Sequence, residues 1–274
     1  ASKDQKNKSN LFRYENFLNQ RYKIRFNKNY SKLHDWSIKN PEKFWSSIWD
    51  FSNVKGKKIE KFYKSKELFK NQFFLNSRLN FAENLLSKND NSKAITFVSE
   101  NGYKEIRKWN ELNLNVGKIS FYLKKINIKE KDRVAAYLPN LIETVESFLA
   151  TVSIGAIWSS CSPDFGVNGV IERFAQIKPK VLILCDRYYY NGKEINVVDR
   201  LHLILKKIKS IKNIIIINYP GKKNIKSKKN KNVNFEFWKN IKKLKPKKVE
   251  FKRFDFDHEL AILYSSGTTG KPKC

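Results

Sequence analysis

Residues 260–274 read LAILYSSGTTGKPKC, a short apolar run that breaks into serines, threonines, glycines and lysines. Leu260 to Tyr264 carries no charge, the pattern of a strand buried on both faces. Ser265, Ser266, Gly267, Thr268, Thr269, Gly270, Lys271, Pro272 and Lys273 follow directly. This loop offers four hydroxyls, backbone N–H groups left uncovered by two glycines, and two ammonium groups. So many donors at the end of a strand suit a polyphosphate. The loop is not a Walker A motif: Lys271 is followed by Pro272, and Ser265 stands where the first glycine belongs. The alternative, an ordinary flexible Gly/Ser/Thr turn, leaves the co-occurrence of hydroxyls, glycines and lysines unexplained. The chain stops at Cys274, one residue past the loop, and it begins at Ala1 without an initiator methionine. It is therefore expected to be a fragment of a longer protein.

Upstream, apolar strand-like runs alternate with helix-like runs. Ala94–Glu100 and Tyr103–Lys108 flank Asn101-Gly102, a hairpin signal. Asn110 is placed to cap a helix running to about Ile126, with Leu112, Val116, Ile119 and Leu123 at helical steps. Strands are expected at Arg133–Leu138, from Ile157, at Val181–Cys185 and at Ile214–Ile217. Helices are expected at Leu141–Ile154 (closed by Gly155), Gly169–Ile177, Val197–Ile208 and Phe235–Leu244. Such alternation predicts an α/β fold with a largely parallel sheet flanked by helices, its ligands gathering beyond the carboxyl ends of the strands. Residues 1–75 form a separate helical leader. In it Trp36, Phe44, Trp45, Ile48 and Trp49 recur around Pro41, where a helix restarts, and the stripe reads as core packing. Residues 76–274 form the first part of the main domain.

At 274 residues, 41% hydrophobic and 14% aromatic, the chain is of globular composition. No run approaches the roughly 18 apolar residues of a membrane span, and the polar start ASKDQKNKSN has no signal-peptide core. Cys161, Cys185 and Cys274 lack pairing or metal-ligand spacing, which points to a reducing, cytoplasmic setting. The net charge of +30 raises nucleic-acid binding as a rival function. Against it, only ten of the 56 basic residues are arginine, and the lysines are spread along the chain. The accompanying excess of Asn, Ile and Phe fits an AT-rich genome. The densest cluster, Lys222–Lys231, reads as a solvated loop. No nucleic-acid partner is therefore expected. His34, His202 and His258 have no metal spacing between them, and Cys161 has no histidine near it in sequence, so no metal site and no thiol nucleophile is expected.

Tyr264–Lys273 resembles the phosphate loop of the adenylate-forming superfamily, Y-[ST]-S-G-[ST]-T-G-x-P-K, at every position. Tyr30–Phe51 (YSKLHDWSIKNPEKFWSSIWDF) resembles the leader of that superfamily's acetyl- and acetoacetyl-CoA synthetase branch, and RLNFAENLL (78–86) the start of its main domain. IWSSCSPDFGV (157–167) and YNGK (190–193) resemble the acetoacetyl-CoA synthetases in particular. The resemblance implies ATP-dependent ligation of acetoacetate to coenzyme A through an acyl-adenylate, with Mg²⁺ accompanying ATP. Acetate or propionate are the alternative acids. Ser265, Ser266, Gly267, Thr268, Thr269, Gly270, Lys271 and Lys273 would hold the ATP phosphates, Lys271 at the motif's variable position. Lys193 would contact coenzyme A; the plain alternative is a solvated lysine beside a turn at Gly192. The superfamily continues well past this loop, through acid-pocket motifs to a C-terminal domain bearing the adenylation lysine. No catalytic residue is therefore expected here, and the fragment alone is expected to be inactive.

Overall fold

The structure is a computed structural model that describes residues 3–67, 70–220, 232–245, 250–265 and 272–274. It divides into two compact units, Ala1–Leu79 and Asn80–Cys274. The first is helical: α1 (Lys3–Lys8), α2 (Asn10–Tyr22), α3 (Tyr30–Lys39) and α4 (Pro41–Phe51), then a short antiparallel pair, β1 (Gly56–Lys57) with β2 (Arg78–Leu79). Side-chain oxygens of Ser9 and Asn29 cap α2 and α3, and Pro41 opens α4, where its missing N–H costs nothing. The expected aromatic stripe is core: Trp36, Phe44 and Ile48 pack around buried Tyr14, Leu18, Phe26 and Leu33. Trp49 is buried against Phe74, with ring centroids 4.9 Å apart, whereas Trp45 stays 44% exposed.

The second unit opens with α5 (Phe81–Leu85) and the antiparallel hairpin of β3 (Lys93–Val98) and β4 (Lys104–Lys108). Next come α6 (Trp109–Lys125), β5 (Arg133–Tyr137), α7 (Ile142–Ser153), β6 (Ile157–Cys161), α8 (Val167–Ile177) and β7 (Val181–Cys185). A second hairpin, β8 (Arg187–Tyr190) with β9 (Lys193–Asn196), is followed by α9 (Leu201–Lys207), β10 (Asn213–Ile217), β11 (Asn234–Phe237), α10 (Trp238–Ile241) and β12 (Phe254–Asp255). The main sheet has the order β11-β10-β7-β5-β6, and all its strands are parallel. It is the expected parallel sheet with helices packed on it. β7 and β10 are buried at every residue, which explains their unbroken Val/Leu/Ile runs.

Local expectations failed where periodicity misled. Asn110 is not the helix cap; it lies inside α6, where the Glu111 carboxylate accepts the Lys108 N–H instead. Phe235–Leu244 is not one helix. Phe235, Trp238, Ile241 and Leu244 recur at helical steps, but Phe235–Phe237 belongs to β11 (Asn234–Phe237) in the sheet, and only Trp238–Ile241 is helical. Val197–Ile208 is a 3₁₀ turn at Val198–Arg200 leading into α9, not one α-helix. Leu260–Tyr264 is not buried on both faces. It makes a single parallel bridge, Ala261 to Trp158 beside β6, and Leu263 is 77% exposed. Leu260, Ala261, Ile262 and Tyr264 are half-buried against the core, and among the described residues the run bridges a strand on one side only.

Candidate functional site

The connection from β5 runs through α7 to β6 on one side, while that from β7 runs through α9 to β10 on the other. The sheet's topological switch point therefore lies between β5 and β7, where open α/β sheets bind ligands. A cavity of about 480 Å³ opens there, walled by Pro139, Leu141, Phe97, Tyr188, Tyr189 and Tyr219. The strand ends around it are pinned. The buried Asp186 carboxylate accepts from the Tyr219 N–H at 2.8 Å and from Asn218 Nδ2 at 3.0 Å, tying the end of β7 to that of β10. Tyr137, fully buried at the end of β5, donates to the Phe165 carbonyl at 2.7 Å and accepts from Arg200 Nη1 at 2.8 Å. This holds the turn that follows β6. Burial raises the Tyr137 hydroxyl above its ordinary pKa, so it stays a protonated donor.

The segment that carries the serine- and threonine-rich loop leaves the sheet beside β6. Trp158 N–H donates to the Leu260 carbonyl at 3.1 Å, Ile262 N–H to the Trp158 carbonyl at 2.8 Å, and Ser159 Oγ to the Ile262 carbonyl at 3.0 Å. The polypeptide leading in is seated on α7's end: Phe254 and His258 stack at 4.6 Å, and His258 Nε2 lies 3.0 Å from the Gly155 carbonyl. Gly155 has φ +75°, as expected of a helix terminator.

Of the proposed phosphate ligands, Ser266, Gly267, Thr268, Thr269, Gly270 and Lys271 lie outside the described residues, as does the Lys222–Lys231 cluster. Ser265 and Lys273 are brought together: the Ser265 N–H donates to the Lys273 carbonyl at 3.0 Å, and Ser265 Oγ approaches the same oxygen at 3.3 Å. They form an antiparallel bridge that closes the base of the loop. The Ser265 hydroxyl thus has a structural partner, while the Lys273 ammonium is exposed and pairs with no carboxylate among the described residues. Lys193 is exposed and opens the return strand of a separate hairpin, facing Tyr190. The tip of that hairpin is held by a Gly192 N–H to Glu100 carboxylate contact of 2.5 Å.

Other candidates resolve as structure. Cys161 is buried, and burial pushes its thiol up to about 11, the wrong direction for a nucleophile at neutral pH. His202 Nδ1 contacts the Asp199 carbonyl at 2.8 Å within its own turn. Among the described residues no group of three His, Cys, Asp or Glu could hold a metal, and no helix is long and apolar enough to cross a membrane.

Residues 86–274 match the AMP-binding enzyme family. The chain belongs to that family. Its AMP-binding relatives include an acetoacetyl-CoA synthetase of Xenopus tropicalis, 40% identical over 280 residues that cover 99% of this chain and 42% of that protein. An acetoacetyl-coenzyme A synthetase of Rhizobium meliloti (strain 1021) is 39% identical, covering 89% of this chain and 37% of that protein. A solved acetoacetyl-CoA synthetase from Streptomyces lividans superimposes with a TM-score of 0.89 at 27% identity, over 99% of this chain and 41% of that one. The chain thus spans about two-fifths of the length of the relatives it matches.

Sequence reasoning missed the residues of α8 that hold the two stems of the loop. Tyr264 Oη donates to the Arg173 carbonyl at 3.0 Å, and Gln176 Nε2 donates to the Pro272 carbonyl at 2.9 Å. Their only signal is that Arg173 and Gln176 are three apart, on one helix face.

Proposed function

We propose that the protein of which this chain is part ligates acetoacetate to coenzyme A at the expense of ATP, releasing AMP and pyrophosphate. The observation that carries this reading is the loop sequence SSGTTGKPK, set at the carboxyl end of a segment hydrogen-bonded to β6 and closed at its base by Ser265 and Lys273. The acetoacetyl-CoA synthetase relatives support the choice of acid.

A carboxylate is a poor acyl donor because its leaving group would be oxide. In the first step a carboxylate oxygen attacks the α-phosphorus of ATP, the bond to the bridging oxygen of the β-phosphate breaks, and pyrophosphate departs with the electron pair. Negative charge grows on the departing group, so donors fixed around it lower the barrier. Ser266, Thr268 and Thr269 supply hydroxyls, Gly267 and Gly270 let the backbone come close, and Lys273, with Lys271 beside it, supplies positive charge. Ser265 fixes the base. In the second step the coenzyme A thiolate attacks the acyl-adenylate carbonyl and AMP leaves; Lys193 contacts a coenzyme A phosphate. Mg²⁺ would accompany the triphosphate and neutralise part of its charge. This chain by itself turns nothing over, and the whole protein works in the cytoplasm.

The test is acid-dependent exchange of labelled pyrophosphate into ATP by the full-length protein, with acetoacetate, acetate and propionate compared, followed by AMP release on adding coenzyme A. Exchange driven by acetoacetate far better than by the other two supports the reading. Exchange driven equally by acetate or propionate overturns the choice of acid, and no acid-dependent exchange overturns the ligase.

A further inference from the structure

The loop's two stems are fastened to a single helix. The incoming stem is held by Tyr264 Oη on the Arg173 carbonyl at 3.0 Å, and the outgoing stem by Gln176 Nε2 on the Pro272 carbonyl at 2.9 Å. Between them, Ser265 and Lys273 pair backbone to backbone. The Arg173 guanidinium lies 4.1 Å from the Phe165 ring centroid and 5.9 Å from that of Tyr264, and it donates to the Gly169 carbonyl at 2.9 Å. It pairs with no carboxylate among the described residues, so its charge is held by two aromatic faces. Burial pushes the Tyr264 hydroxyl up to about 12, which keeps it a donor across the physiological range. Gln176 also donates to the Glu172 carbonyl at 2.7 Å, which keeps its amide on the helix surface next to the outgoing stem.

We propose that α8 is the mount of the phosphate loop and that Gln176 is a positioning residue for ATP, acting through the Pro272 carbonyl rather than by touching the nucleotide. The proposal rests on the reading of the loop as the holder of the ATP phosphates. A loop whose stems are already fixed needs less ordering when the triphosphate binds, so the contact acts on nucleotide affinity. It has no reason to act on the acid. Gln176 is exposed, so its contact has the strength of one ordinary hydrogen bond, equivalent to a roughly fivefold change in affinity.

The experiment uses the full-length protein with Gln176→Met, which keeps the chain length and removes the donor, and Gln176→Lys, which restores a donor of similar reach. Steady-state kinetics would give KM for ATP and for the acid separately, and amide hydrogen exchange would be followed over residues 265–274. Gln176→Met is expected to raise KM for ATP roughly fivefold, leave KM for the acid unchanged, and speed exchange in residues 265–274 but not in β5 or β6. Gln176→Lys is expected to recover most of both effects. Unchanged exchange in residues 265–274 of Gln176→Met overturns the mount whether or not the protein is active. Equal rises in both KM values, or exchange that speeds throughout the sheet, also overturn it, since they mark a general structural role. Failure of the unsubstituted protein to catalyse acid-dependent pyrophosphate exchange overturns the ligase reading instead, and leaves the exchange measurement to decide the mount.

Discussion

Replacing Glu146 by glutamine should make the stability of this chain less sensitive to pH. Glu146 is fully buried on α7; its Oε1 lies 2.8 Å from Arg107 Nε and accepts from Asn115 Nδ2 at 2.7 Å, while its Oε2 has no hydrogen-bond partner among the described residues. Burial is the largest influence on this carboxyl; with the nearby Glu143 adding to it, it outweighs Arg107 and Asn115 and pushes the pKa up to about 7 from an ordinary 4.5. A carboxyl with a raised pKa favours the folded state when protonated. Its contribution is therefore complete below about pH 4.5 and is lost as pH rises toward about 7, because the unfolded chain ionises first. The span from 4.5 to about 7 corresponds to roughly 3 kcal/mol. Losing one partner of a buried ion pair normally destabilises, but Arg107 keeps Glu105 at 3.0 Å, and glutamine can still accept from Asn115. Urea unfolding of the chain at several pH values should show Glu146→Gln matching the original at about pH 4 and exceeding it by up to roughly 3 kcal/mol at about pH 8. Glu143, also raised by burial, stays in both proteins; relieved of a like charge beside it, it changes the difference in the same direction as the loss of Glu146. A variant that is weaker by the same amount at every pH would refute the reasoning and assign the dominant role to the Arg107 pair.

Two further outcomes are expected. Tyr137→Phe deprives the Phe165 carbonyl of its donor and Arg200 of an acceptor, so it should cost about 1–3 kcal/mol in unfolding free energy and speed amide exchange in residues 162–166; equal exchange there would sink the idea that Tyr137 holds that turn. Gly155→Ala meets both a left-handed backbone (φ +75°) and the Phe254 ring, so it should destabilise by roughly 2–4 kcal/mol. A thermal midpoint within a degree of the original would contradict that.

Much of the sheet was legible because burial writes itself into composition: the unbroken runs of β7 and β10 admit few other readings. The β3–β4 hairpin was legible from Asn101-Gly102, and the end of α7 from Gly155. The second hairpin was not, since the tyrosines of β8 show no alternation and YNGK announces only a turn. β11 was misread because Phe235 also falls in step with Trp238, Ile241 and Leu244 at helical spacing, and only the parallel pairing of Phe235 with Ile214 decides for a strand. Leu260–Tyr264 was misread because apolar composition is the same for a strand buried on both faces and for a run that bridges a strand on one side, as Ala261 does Trp158. For the candidate site, the hydroxyls, glycines and lysines of the loop stood out because their chemistry is local. Gln176 did not, because its partner Pro272 is 96 residues away and a glutamine on a helix surface is unremarkable by itself.

The most direct measurement is pyrophosphate exchange by the full-length protein with Thr268, Thr269 and Lys273 all replaced by alanine. If these groups stabilise the charge that develops as pyrophosphate leaves, exchange should fall by roughly a hundredfold or more while the protein keeps its fold by circular dichroism. Exchange at the unsubstituted rate would show that the loop does not hold the phosphates.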